Sequence, residues 1–187
     1  TDTVTAEKNR AIVCGQTVSR NEFGISGGIF WSPDADMLAY YIKDESAVTK
    51  YPLTDITSRT GRARNIRYPM AGMNSEKIKV AVYDRKTKRS VCLNHMAAID
   101  PAWDRAEETY LTNVCWSPDG KHIYIQLLDR SQKHMKLCMF EPNGNYIKTI
   151  LTEDNGKYVE PLDPLYFIKD RNDLFIYRTA NRDGYRN

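Results

Sequence analysis

The feature that most limits how this chain can fold is an internal repeat. Trp31-Ser32-Pro33-Asp34 returns as Trp116-Ser117-Pro118-Asp119, 85 residues further on. The flanks match too: Ile29-Phe30 answers to Val114-Cys115, and Met37-Leu38-Ala39-Tyr40 to His122-Ile123-Tyr124-Ile125. An eroded third copy covers residues 166–176. Repetition on this scale means one supersecondary unit used several times over.

Each copy reads as strand, turn, strand. Proline presets φ for a tight turn, and the aspartate after it bonds the backbone beyond. The runs that follow, 37–42, 123–128 and 174–177, are rich in β-branched and aromatic residues. The first two copies are each followed by another strand pair. Residues 78–84 and 89–93 flank Arg85-Lys86-Thr87-Lys88, and 136–141 and 146–151 flank Pro142-Asn143-Gly144-Asn145. Asn-Gly between such runs is a strong hairpin signal.

Four antiparallel strands per unit describe a propeller blade, so the predicted fold class is all-β, a fragment of a β-propeller built from four-stranded antiparallel blades. Residues 1–27 contain the end of a preceding blade at 11–18. Residues 28–94 form a blade carrying a long insertion, 43–77, between its second and third strands. Residues 112–151 form the next blade, and 165–187 begin a truncated one. Propellers close with about 4–8 blades, so the expectation is an arc of a larger ring with unpaired strand edges. The stretch 102–109 is the nearest approach to a helix and reads as loop.

Composition excludes several functions. A net charge of +3, from 27 basic and 24 acidic residues, lacks the concentrated basic surface of a nucleic-acid binder. No apolar run approaches the ~18 residues of a membrane span. The polar residues 1–10 lack the apolar core of a signal peptide, as would a mature secreted chain. Cys14, Cys92, Cys115 and Cys138 include no CxxC pair, and His95, His122 and His134 are not at metal-ligand spacing to them. Three of the thiols lie in apolar runs and read as small buried hydrophobes; their even number leaves disulfides open. No metal or cofactor is expected.

The order of several elements resembles a known family. The stretch 28–41 with its Trp-Ser-Pro turn is followed by Tyr68-Pro69-Met70-Ala71-Gly72 and Val80-Ala81-Val82-Tyr83-Asp84. Residues 111–119, then Tyr158-Val159-Glu160-Pro161-Leu162 and Asn181-Arg182-Asp183-Gly184-Tyr185, continue the match. Together they look like the N-terminal propeller of the dipeptidyl-peptidase IV branch of the prolyl oligopeptidase family of serine peptidases, in its bacterial type. The likeness covers residues 12–187. It implies a parent exopeptidase that releases X-Pro or X-Ala dipeptides from peptides with a free N-terminus. A C-terminal α/β-hydrolase domain would hold the catalytic Ser, Asp and His, so this segment alone would be inactive. The propeller would admit substrate and hold its α-amino group with carboxylates.

In that family an adjacent glutamate pair lies upstream of the first Trp-Ser-Pro turn. Here the matching stretch is Arg20-Asn21-Glu22-Phe23. The resemblance therefore carries the amine-binding role to Glu22, with Asn21 as a neutral helper. Val159 and Glu160 match a loop that faces the extended substrate. The 43–77 insertion, with Arg59, Arg62, Arg64 and Arg67, matches an arm that takes part in homodimerisation. Export to the periplasm or beyond is likewise implied.

Two tempting signals are declined. Gly24-Ile25-Ser26-Gly27-Gly28 fits Gly-x-Ser-x-Gly, but a nucleophile elbow needs a strand before the serine and a helix after it; here strand and turn follow. Glu107-Glu108 is an acidic pair away from the family's position and reads as solvated loop. Trp31 and Trp116 read as blade packing. The rival reading is a non-enzymatic, protein-binding propeller; a sensor propeller fused to a membrane span is a weaker third.

Overall fold

The computed structural model describes residues 1–169 and 171–179. The 181–185 element of the resemblance lies outside them. The structure is built from antiparallel sheets, and among the described residues helical backbone is confined to single 3-10 turns at Ser19–Asn21, His95–Ala98 and Ala106–Glu108.

The repeated tetrapeptide makes the same turn twice. Ser32 Oγ donates to Asp34 Oδ1 at 2.6 Å and accepts from the Met37 amide at 2.9 Å. Ser117 Oγ donates to Asp119 Oδ1 at 2.6 Å and accepts from the His122 amide at 3.0 Å. Each aspartate also accepts a backbone N–H two residues on, from Asp36 and from Lys121. The serine hydrogen bond is the main reason both carboxyls sit below their ordinary range.

The second copy opens a four-stranded meander. Strand β8 (Tyr110–Trp116) pairs with β9 (Ile123–Leu128), which pairs with β10 (His134–Phe140) and then β11 (Tyr146–Asp154). The β10–β11 hairpin turns at Gly144, whose φ of +102° is costly for any residue with a Cβ. All six residues of β9 are buried, as expected of a strand covered on both faces.

The first copy organises a sheet of five strands rather than four. Strand β2 (Ile29–Trp31) pairs with β3 (Met37–Asp44), and β3 with β6 (Lys77–Asp84) and onward to β7 (Arg89–Cys92). The fifth strand is β1 (Ile12–Cys14), which pairs with Ile42, Lys43 and Asp44 of β3. The segment expected to end a preceding blade thus joins this sheet instead. Strand β6 runs the whole length of β3, so β1 and β2 share its opposite edge, and they meet at Tyr41. The Tyr41 amide donates to Gly28 O at 3.0 Å, and its carbonyl accepts from the Gly15 amide at 2.8 Å. Gly28 permits this, because a Cβ there would lie 2.3 Å from the Gln16 backbone.

The insertion does not begin where β3 was expected to end, since β3 continues through Asp44. Beyond it the insertion folds on itself as a hairpin, β4 (Lys50–Asp55) with β5 (Arg62–Arg67). Strands β12 (Tyr166–Phe167) and β13 (Phe175–Ile176) make a further short pair.

One apolar cluster joins the two large sheets, with Val80, Val82 and Tyr41 from the first and Leu111, Ile123, Ile125 and Phe140 from the second. Each such side chain contributes about 1.5–3 kcal/mol on burial. A second cluster packs Tyr124, Leu137 and Val159 against Phe167 and Phe175. Stacked sheets sharing successive cores are the propeller arrangement. Two packing expectations are corrected. Trp116 is 9% exposed but Trp31 is 51% exposed, because no sheet among the described residues lies against β2 as the first sheet lies against β8. Cys92 is exposed on the outer strand β7, while Cys14 and Cys115 are half-buried and Cys138 buried; all four thiols are free.

Candidate functional site

Between β1 and β2 the chain makes a ledge of left-handed backbone. Ser19, Arg20, Asn21, Phe23 and Gly24 have φ of 49°, 55°, 63°, 57° and 74°. Glu22 sits among them in extended conformation, with φ −70° and ψ 170°. Left-handed backbone is costly for residues with a Cβ and persists only where the surroundings impose it. Four contacts do so here. The Ser19 amide donates to Glu76 Oε1 at 2.5 Å. The Arg20 guanidinium lies over the Tyr68 ring, 4.6 Å from its centroid. Phe23 packs on Tyr110 with ring centroids 4.8 Å apart. Gly24 approaches Leu162 so closely that a Cβ would stand 2.1 Å from its carbonyl oxygen.

A bulge in β8 fastens the far side. Register shifts between Thr112 and Cys115, and Asn113 takes φ 51°. Its side-chain amide donates to Pro161 O at 2.7 Å and to Phe23 O at 3.3 Å. Gln126 Nε2 donates to Asp163 O at 2.8 Å. Bulges often re-aim a side chain in this way. The ledge and the 161–163 loop are thereby tied to one sheet.

Under the ledge lies a cavity of about 330 Å³ lined by Glu22, Ser19, Glu76, Tyr110 and Arg130, among others. Two of the lining residues, Ser75 and Arg130, contact Glu108, which is 7% exposed and is not itself part of the lining. Glu108 Oε1 accepts from Arg105 at 2.6 Å, and Oε2 accepts from the Ser75 amide at 3.2 Å and lies 3.6 Å from Arg130 Nε. Arg130 also donates to the Tyr110 hydroxyl. Carboxylates and guanidinium groups thus share one recess, suited to holding a charged ligand by position and hydrogen bonding.

The residues expected from sequence divide. Glu22 is exposed and lines the cavity. Asn21 is exposed beside it but is not part of the lining. Val159 is 6% exposed and packs in the second apolar cluster rather than facing outward, its amide donating to Gln132 O at 2.7 Å. Glu160 is exposed and lies outside the lining. Ser26 is followed directly by strand β2, not by a helix. Of the pair expected to be solvated, only Glu107 is; Lys77 binds it and draws its carboxyl below the ordinary range. Glu108 is buried, because Arg105 and Arg130 flank it. Sequence reasoning missed Glu76, Ser19, Tyr110 and Arg130; no motif or spacing links them. Among the described residues, no group of three or more His, Cys, Asp or Glu could hold a metal ion.

Stacked antiparallel sheets that share successive cores describe a fragment of a β-propeller, and comparison with known proteins gives the family. The family model for the dipeptidyl peptidase IV (DPP IV) N-terminal region matches residues 1–187, and the chain belongs to that family. The structure is similar to that of a Bacteroides ovatus ATCC 8483 protein assigned as a dipeptidyl aminopeptidase IV, with TM-score 0.87 and 47% identity, over 98% of this chain and 25% of that one. Its fold is also that of Porphyromonas gingivalis dipeptidyl peptidase 4, with TM-score 0.80 and 23% identity over 98% of this chain and 25% of that one. Mouse dipeptidyl peptidase 8 is 27% identical over 132 residues, which are 64% of this chain and 15% of the mouse protein. The chain therefore spans about a quarter of the two solved proteins and less of the mouse relative.

Proposed function

We propose that this chain is the substrate-gating propeller segment of a dipeptidyl peptidase IV-like serine exopeptidase, and that Glu22 receives the free α-amino group of the peptide. The observation that carries this reading is an exposed carboxylate that lines a polar cavity and is carried on extended backbone within the left-handed ledge. A substrate ammonium leaving water needs an opposite charge, and a desolvated pair is worth about 2–5 kcal/mol. Such a contact also sets register, because only a chain end at the right distance from the scissile bond satisfies it. The segment touches no reacting atom in this scheme; Ser, Asp and His come from a hydrolase domain of the parent chain, which releases X-Pro and X-Ala dipeptides outside the cytoplasm.

The β4–β5 hairpin serves the same parent as a homodimer arm, since Tyr51, Leu53 and Ile56 project from it with 44%, 43% and 87% exposure. Leu53→Asp with Ile56→Asp should convert the dimer to monomer in sedimentation.

The test of the function uses the full-length parent. Glu22→Gln should raise KM for a glycyl-prolyl reporter about tenfold or more, while blocking the reporter's N-terminus abolishes cleavage. An unchanged KM removes Glu22 from the site, and a parent without peptidase activity returns the segment to the class of binding propellers.

A further inference from the structure

We propose that Asn155 is a site of self-modification: the peptide nitrogen of Gly156 closes on its side-chain amide, and the residue becomes aspartate and isoaspartate with loss of ammonia. The chain holds two Asn-Gly pairs, Asn143-Gly144 and Asn155-Gly156. Glycine lacks the Cβ that would hinder such a ring closure, so the dipeptide alone marks both. Their surroundings separate them.

Both asparagines make the same local turn. Asn143 Oδ1 accepts from the Asn145 amide at 3.0 Å, and Asn155 Oδ1 accepts from the Lys157 amide at 2.9 Å. A side-chain carbonyl bonded to the amide two residues on is folded over the intervening peptide nitrogen. An N–H on that oxygen also stabilises the anion formed when the carbonyl carbon is attacked. The electrophile is prepared at both positions.

The attacking and leaving groups differ. At the first site the Gly144 amide donates to Glu141 O at 3.0 Å, and Asn143 Nδ2 donates to Glu141 Oε2 at 2.8 Å. Gly144 is buried, and a Cβ on it would stand 2.7 Å from Cys92 O. Its nitrogen can neither shed a proton nor swing toward Asn143 Cγ without breaking these contacts. At the second site both residues are exposed, and a Cβ on Gly156 would meet nothing within 4 Å. Among the described residues neither the Gly156 amide nor Asn155 Nδ2 has a hydrogen-bond partner. Asn155 itself is anchored, its amide donating to Lys133 O at 3.0 Å.

The step balances with hydroxide and water alone. Gly156 N gives its proton to hydroxide and bonds to Asn155 Cγ. The Cγ–Nδ2 bond breaks, and Nδ2 leaves as ammonia with a proton from water, which returns the hydroxide. Water then cleaves one of the two C–N bonds of the cyclic imide: at Cγ it leaves aspartate, at the main-chain carbonyl isoaspartate. Either product puts a new carboxylate beside Asp154, whose Oδ1 lies 2.6 Å from His134 Nδ1. Isoaspartate also adds a methylene to the main chain at the root of the loop leading to Pro161, the residue that Asn113 ties to its sheet.

The test follows the full-length parent in mildly alkaline buffer by peptide mapping and mass spectrometry, so it stands whatever role Glu22 has. The peptide containing Asn155 should gain the mass difference between amide and acid at least about tenfold faster than the one containing Asn143. It should also become a methyl acceptor for an isoaspartyl methyltransferase. In denaturant the two peptides should react at similar rates, because only the fold distinguishes them. Gly156→Ala, with its Cβ in open space, should keep the melting temperature and suppress the gain at Asn155. Equal rates in the folded protein, no gain at Asn155, a gain without isoaspartate, or a gain indifferent to Gly156→Ala would each overturn the proposal.

Discussion

Trp116 donates its indole N–H to the carbonyl oxygen of Phe30, 2.9 Å away and 86 residues earlier in the chain. The bond joins β8 of the second sheet to β2 of the first, and it belongs to only one of the two repeated tryptophans. Trp116→Phe should destabilise the protein by about 2 kcal/mol, through the lost hydrogen bond and the poorer fill. Trp31→Phe, at a half-exposed position, should change stability by no more than about 0.5 kcal/mol. Urea titration of the two variants reads the contrast, and equal losses would refute it.

Gly24→Ala should cost about 2 kcal/mol or more, because alanine at φ +74° would also place its Cβ 2.1 Å from Leu162 O. The measurement is thermal unfolding, with Gly156→Ala as the comparison, since a Cβ there meets nothing within 4 Å.

Alkaline stability should follow the buried thiols. Burial pushes Cys138 from its ordinary 9.0 to about 11 and Cys115 to about 12. Both stay protonated in the fold while the unfolded chain ionises, so their contribution is whole below pH 9 and is lost as pH rises through 9 toward 11 and 12. Cys138→Ala should flatten the fall in unfolding free energy between about pH 8 and pH 10.5. Before unfolding, Cys92 should be the first thiol to react with an aromatic disulfide reagent, as it alone is exposed.

On the acid side the sign reverses. His95 is 8% exposed. Burial, assisted by the charge of Lys79 and opposed by the Leu93 carbonyl, holds its pKa below the ordinary 6.5. The folded state keeps the imidazole neutral while the unfolded chain takes up a proton below 6.5. Stability should therefore fall as pH drops through that window, and His95→Gln should weaken the dependence in denaturation measured from about pH 7 to pH 5.

What could be read in advance was whatever depends on neighbours in sequence. The Ser-Pro-Asp turns, the hairpin at Gly144 and the run of β9 are local devices, and each is written in consecutive residues. Glu22 was reached because it lies in a stretch that resembles a family motif. The rest depends on distant pairing. That β1 would share an edge with β2 rests on Gly15 and Gly28 meeting at Tyr41. That Trp31 would be open and Trp116 closed depends on which sheets stand beside them. Val159 turned inward because Tyr124 and Leu137 offered it an apolar seat, and Glu76 reached the cavity from the end of the insertion through its bond to Ser19.

The dihedral angles between 19 and 24 carry a practical lesson for altering recognition. Five of those six positions have backbone that resists exchange, above all for β-branched side chains. Position 22, with φ −70°, accepts L-amino acids other than proline without conformational penalty; proline would lose the amide bond to Ser19 O. A library varied at that single codon would sample new chemistries at the rim while leaving its architecture untouched, and selections begun there should yield more folded clones than ones begun at 20, 21 or 23.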